Sequence, residues 1–221
     1  MLSEIFKLFW KTVERKDARR INSQTPPTEI EQFRDIQYID DGLWQHRLDV
    51  YSKSGKLSHR PVIIDIHGGG WMYGTKKINK NYCLVLAQND YVVVNINYRL
   101  APDFSVADQL RDCFFAFKWV STNIEKYGGD LNNVFVTGDS AGGFLAAYSA
   151  LLNSSEKLRK IFGVTESGLE FRACGLTSPV CFMNTHTFQD VYYSRVKGKE
   201  FSESTLRGFE NFDAVLNRGS M

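Results

Sequence analysis

Val134-Phe135-Val136-Thr137-Gly138-Asp139-Ser140-Ala141-Gly142-Gly143-Phe144 decides the fold. Val134 to Thr137 reads as a short buried strand, and Ala141 to Leu152 reads as a helix. Between them lies Gly138-Asp139-Ser140-Ala141-Gly142, a G-x-S-x-G pentapeptide. A strand that turns into a helix through this pattern holds a serine hydroxyl on a sharp turn above a sheet. The glycines have a steric purpose, since bulkier neighbours would clash with the strand and helix on either side. The new helix also points its first amides toward a reacting oxygen. A helix-capping serine in a glycine turn is the plain alternative.

Upstream, Val62 to Ile66 and Tyr91 to Ile96 are short apolar runs rich in Val and Ile, as expected of strands buried on both faces of a parallel sheet. Asn79 to Gln88 forms a crossover helix between them. Val106 to Tyr127 carries Leu110, Cys113, Phe114, Phe117 and Val120 at helical spacing, and Gly128-Gly129-Asp130 ends it. Phe171 to Leu176 reads as one further strand. Strand and helix alternate from residue 62 onward, which predicts an α/β fold with a doubly wound, mostly parallel sheet and helices on both faces. Before that, Ile36 to Ile39 and Arg47 to Tyr51 alternate like two strands joined through Asp41-Gly42. Ser3 to Arg20 has the spacing of an amphipathic helix, with Ile5, Phe6, Phe9, Trp10 and Val13 on one face.

A second glycine run, His67-Gly68-Gly69-Gly70-Trp71, follows the strand at Val62 to Ile66 directly. Acyl transfer builds negative charge on a carbonyl oxygen, and backbone N–H groups must approach it closely. Glycine permits that approach because no Cβ stands in the way. Gly68, Gly69, Gly70 and Ala141 are therefore the candidate oxyanion hole, with His67, Asp139 and Gly68 itself shaping the loop. No Lys-Ser or Lys-Thr pair closes the run and no GxGxxG is present, which argues against a phosphate loop. Trp71 and Tyr73 are candidates for the substrate cleft, with core packing as the bland alternative.

These stretches together with Tyr98-Arg99-Leu100-Ala101-Pro102 resemble the hormone-sensitive-lipase-like carboxylesterase branch of the α/β-hydrolases, over roughly residues 35 to 180. The resemblance implies a serine-dependent ester hydrolase with Ser140 as nucleophile. It would form an acyl-enzyme intermediate on short- to medium-chain acyl esters, with no cofactor and no metal. It also implies an N-terminal helical cap segment over residues 1–35 and a hydrolase core over 36–221, with 181–217 a cap insertion. The family often has Glu after the Tyr-Arg-Leu-Ala-Pro run, where this chain has Asp103.

The rest of the triad is harder to find. In this fold it follows in the order Ser, then Asp or Glu, then His. His186 is the single histidine after Ser140, and no acid stands between it and the strand at Phe171 to Leu176. His186 is thus a weak base candidate, and the expectation is a chain that stops before its last strands, acid and histidine. Three functional readings stay open: an ester hydrolase of small-molecule substrates, a serine hydrolase of another acyl bond such as an arylformamide or peptide, and an inactive fragment or binding module.

The bulk composition fits a soluble domain, with 43% hydrophobic and 24% charged residues. A formal charge of +2 from 27 basic and 25 acidic side chains gives no nucleic-acid footprint. No apolar run reaches the ~20 residues of a membrane span. Cys83, Cys113, Cys174 and Cys181 form no CxxC pair or metal-ligand spacing, and no cleavage site follows the apolar Met1 to Trp10. The expected setting is cytoplasmic. Nothing in the motifs specifies an oligomeric state.

Overall fold

A computed structural model describes residues 2–55 and 59–180 of the protein, with side chains from residue 8 onward. The described elements run α1 (Leu2–Asn22), β1 (Ile30–Gln37), β2 (Arg47–Lys53), β3 (Arg60–Ile66), α2 (Lys80–Gln88), β4 (Val92–Ile96), α3 (Val106–Asn123), a 3-10 turn (Ile124–Tyr127), β5 (Gly129–Asp139), α4 (Ala141–Ser154), α5 (Glu156–Phe162) and β6 (Phe171–Thr177). The six strands form one sheet in the order β1-β2-β4-β3-β5-β6. β4, β3, β5 and β6 are parallel, while β1 and β2 form an antiparallel edge.

This order places the candidate site. The chain leaves β3 toward β4 on one side and returns past β3 to β5 on the other. Reversing direction while keeping right-handed crossovers puts α2 on one face and α3 and α4 on the opposite face. The packing divides accordingly. Val93 faces Cys83, Leu84 and Ala87 of α2 with Tyr51 and Ile30, whereas Val92 and Val94 join the larger core of α3 and α4. Every residue of β4 is buried, which explains its uninterrupted apolar run. In register, Ile66 at the end of β3 lies opposite Gly138 at the end of β5. The loops leaving these two strands therefore emerge side by side at the carboxyl edge of the sheet, where open α/β sheets place ligands.

Four features differ from expectation. β1 begins at Ile30 and ends at Gln37, short of Ile39, with a bulge between Phe33 and Ile36. β5 begins at Gly129, because Gly128 turns the chain in the left-handed region and Gly129 and Asp130 already pair with Arg60 and Pro61. α5 is a short helix that apolar periodicity over seven residues does not reveal. The inward stripe of α1 is also different. Trp10, Val13, Asp17 and Ile21 are half-buried, while Phe9, expected on the packed face, is 57% exposed. No helix among the described residues is long and apolar enough to cross a membrane.

Candidate active site

Ser140 joins β5 to α4 with φ 51° and ψ −116°, a region that costs a non-glycine residue ~1 to 3 kcal/mol. Hydrogen bonds on both of its backbone groups hold it there. Its N–H donates to Thr177 O (2.9 Å) at the end of β6, and its carbonyl accepts from Phe144 N (3.1 Å) and Val180 N (3.2 Å). The glycines around it make room. A Cβ on Gly142 would stand 2.0 Å from Ile66 O, and one on Gly138 would stand 2.4 Å from Gly142 O. The elbow thus sits directly against the end of β3.

The run from His67 is tied to that elbow through Asp139. Gly68 N–H donates to Asp139 Oδ1 (2.9 Å), and a Cβ on Gly68 would meet Asp139 Oδ2 at 2.3 Å. This corrects the role expected of Gly68 as a hole donor. Its amide is committed to Asp139, so Gly68 keeps only the shaping role. Gly69 (φ 121°) and Gly70 (φ 57°) then carry the chain through the left-handed region, and Gly69 O accepts from Met72 N and Tyr73 N. Ala141 is the first residue of α4, where backbone N–H groups have no partner within the helix.

The Tyr98 to Pro102 segment braces the loop from behind. Tyr98 stacks on His67 (4.4 Å between centroids) and donates from its hydroxyl to His67 O (2.7 Å). Ala101 N–H and Gln109 Nε2 both donate to Trp71 O, at 2.8 and 2.9 Å. Arg99 is anchored on the fully buried Asp112 through Nε and Nη2.

His67 is fully buried, and burial pulls its pKa down to about 4. It is neutral at pH 7, with Nδ1 donating to Gly68 O (2.7 Å), while Nε2 has no hydrogen-bond partner among the described residues. That arrangement fits a loop-shaping side chain. Of the two readings for Trp71, core packing holds. At 1% exposure it packs edge-on against Phe144 in the main core, so it does not line a cleft. Its backbone has a positive φ (61°).

Tyr73 does line a cleft, of ≈ 470 Å³, between α1 and the segment after the glycines. Its ring stacks on Trp10 (5.6 Å, 12° between planes) and its hydroxyl donates to Asp17 Oδ2 (3.1 Å). Burial and the Asp17 carboxylate hold the phenol well above its ordinary pKa. Trp44, Met72, Ile78 and Leu100 complete the apolar wall.

None of the three histidines among the described residues hydrogen-bonds Ser140. His46 Nδ1 contacts Asp41 (2.6 Å) and its Nε2 lies 3.1 Å from Asp112. Burial lowers its pKa, but these two carboxylates outweigh that and raise it. His59 is exposed. His186 lies outside the described residues. No cluster of three or more His, Cys, Asp or Glu among the described residues could hold a metal ion.

Sequence reasoning missed the polar groups beneath the loop. Asp65 in β3 is 1% exposed, and burial raises its pKa to about 7. Lys76 is buried against Asp35 and Asp49, with its backbone held by Asn95 and Asn97. The available signal was a polar residue interrupting an apolar strand, Asp65 in Val-Ile-Ile-Asp-Ile and Asn95 in Val-Val-Val-Asn-Ile.

With that geometry in place, likeness to known proteins becomes specific. The profile of the BD-FAE family matches residues 48–187. The chain belongs to this family of α/β-hydrolase carboxylesterases. It is 29% identical to isoprenylcysteine alpha-carbonyl methylesterase ICME of Arabidopsis thaliana, over 81% of the chain and 41% of that protein. It is 33% identical to carboxylesterase NlhH of Mycobacterium tuberculosis, over 63% of the chain and 45% of that protein. Esterase B from Lactobacillus rhamnosis superposes with a TM-score of 0.83 at 31% identity, covering 89% of this chain and 66% of that one. A further structure of the same esterase, inhibited with a tributyrin phosphonate, matches at 30% identity and a TM-score of 0.82, covering 98% and 67%. The chain thus spans less than half the length of these two curated relatives.

Proposed function

We propose that this chain carries the nucleophile and oxyanion cradle of a serine carboxylester hydrolase for short- to medium-chain acyl esters. The observation that carries this reading is the juxtaposition of the Ser140 elbow and the glycine loop, joined by Asp139 to Gly68. Ser140 Oγ attacks the ester carbonyl, and the carbonyl oxygen takes up negative charge. The amides of Gly69, Gly70 and Ala141 receive that charge, the alcohol leaves, and water later releases the acyl group. A cradle fixed before the reaction needs no reorganisation as charge develops, and one donor is typically worth ~10² to 10³ in rate.

The Ser140 proton requires a histidine base oriented by a carboxylate. His46 and His67 are engaged elsewhere, so the reading requires a base from outside the described residues. The cleft walled by Tyr73 and Trp10 is lined by the residues that follow the glycine loop and not by Ser140 itself, and it is assigned to the acyl or alcohol portion, with the segment over residues 1–35 acting as its cap. The tributyrin phosphonate on esterase B of Lactobacillus rhamnosis supports a preference for short acyl chains.

The test is hydrolysis of p-nitrophenyl acetate, butyrate and decanoate beside an arylformamide, by the chain and by Ser140→Ala. Butyrate hydrolysis lost on substitution is the expected result. Measurable turnover that Ser140→Ala leaves unchanged would sink the reading, whereas no turnover in either would mean that no base reaches Ser140. Arylformamide preferred over every ester would redirect it to another acyl bond.

A further inference from the structure

Asn79 stands at the start of α2, a position where asparagine ordinarily caps the helix with its side chain. Here that side chain makes no capping hydrogen bond. Instead Nδ2 donates to two carboxylates: Asp139 Oδ1 at 2.8 Å and Asp65 Oδ2 at 3.0 Å. Asp139 Oδ1 also accepts the Gly68 N–H at 2.9 Å. The first and last residues of the 68–79 segment therefore meet on one oxygen atom, which belongs to the residue preceding Ser140. Asp65 supports the arrangement from below. It is a carboxyl buried in an apolar strand, with Asn79 among its partners, and burial on such a scale is costly unless the group is held. A favourable local cap has been given up for two bonds reaching 14 and 60 residues away. Such conflicts between local preference and global structure concentrate at functional sites.

We infer that Asn79 is a positioning residue for the oxyanion cradle, clamping the far end of the 68–79 loop onto the Asp139 carboxylate that holds its near end. The inference rests on reading the glycine loop as that cradle. Asn79 touches neither substrate nor reacting atoms; it acts through Asp139 and Gly68.

The deciding variant is Asn79→Ser. Serine caps a helix as well as asparagine does, so a residue that merely starts α2 tolerates the change. Its side chain is too short to reach both carboxylates. In the ¹⁵N-labelled full chain, the Gly68 amide resonance is expected to move and its exchange with solvent to quicken. kcat for p-nitrophenyl butyrate should fall about ten-fold, less than the ~10² to 10³ of losing a hole donor, with KM nearly constant. Asn79→Asp, which keeps size and capping ability but removes the donor, should give a larger change in the same direction. An unmoved Gly68 amide in both variants overturns the inference. So does a moved amide with unchanged kcat, where the parent loses its activity on Ser140→Ala. Measurable hydrolysis that does not depend on Ser140 instead defeats the esterase reading, and in that case, or with an inactive parent, the Gly68 amide alone decides the clamp.

Discussion

The two glycine-rich turns at the carboxyl edge of the sheet use glycine for different reasons. In the elbow, Gly138 and Gly142 have ordinary backbone angles and are required for closeness: a Cβ on Gly138 would enter the elbow's own backbone at Gly142, and one on Gly142 would enter the opposing turn at Ile66 and His67. The strained φ falls on Ser140, the residue proposed to react. In the His67 loop the positive angles fall on Gly69, Gly70 and Trp71, while closeness is met by Gly68 against Asp139 and by Gly69 against Tyr73 O. One turn is a tight joint that exposes a side chain; the other is a bent ribbon that presents its backbone. Asp139 links them by a side-chain hydrogen bond to Gly68, and Gly142 meets the other turn directly at Ile66 O and His67 O.

The largest expected effect comes from closing the tight joint. Gly142→Ala places a methyl group 2.0 Å from Ile66 O, where only backbone can yield. Loss of about 3 kcal/mol or more is expected by urea unfolding, together with activity. As a contrast, Gly42→Ala, with φ 79° and open space around it, should cost only about 1 kcal/mol. Equal costs for the two would contradict the distinction between closeness and conformation.

Next comes the polar support beneath the link. Asp65 has a folded-state pKa of about 7 against an ordinary 3.8, so the folded protein binds the extra proton between those values. Stability from this group is therefore fully present below pH 4 and lost as pH rises through 7. Asp65→Asn should gain stability relative to the parent across that window, reaching on the order of 4 kcal/mol at pH 8. His67, with its pKa lowered to about 4, slopes the opposite way, stabilising above pH 6.5 and losing that contribution as pH falls through 4. The comparison is thus between variant and parent in paired melts at pH 4 and pH 8. A difference that does not change with pH would remove the buried-carboxyl account.

The smallest effect isolates the strain at Ser140. Alanine keeps the side-chain penalty at φ 51°, whereas glycine relieves it. Ser140→Gly should melt a few degrees above Ser140→Ala, corresponding to about 1 kcal/mol. Both variants should be inactive. A lower melting temperature for the glycine variant would mean that the elbow is unstrained.

What was legible in the sequence follows the same division. β3, β4 and β5 could be read because burial on both faces demands apolar runs, and the two motifs could be read because backbone crowding demands glycine. α5 was missed although Ser155 caps it and Gly163 ends it in the left-handed region, since those signals flank too few apolar residues. For Trp71 the sequence leaves both cleft and core open, because adjacency to the glycines says nothing about which way a side chain points, and its burial answers for the core. The sequence leaves Gly68 both a hole donor and a loop-shaping residue, because it shows which amides lack a Cβ and not which are already bonded. Asn79 was passed over because its partners lie in other strands, at separations that local patterns do not encode.

The most direct test of a hydrolytic site built from both turns is covalent. The folded chain is treated with a p-nitrophenyl phosphonate carrying a short alkyl chain, and the adduct is located by peptide mass spectrometry. A single adduct on the peptide containing Ser140, absent in Ser140→Ala and formed more slowly in Gly69→Ala, is the predicted result. A folded chain that takes up no adduct, or one labelled equally with and without the Ser140 hydroxyl, would contradict it.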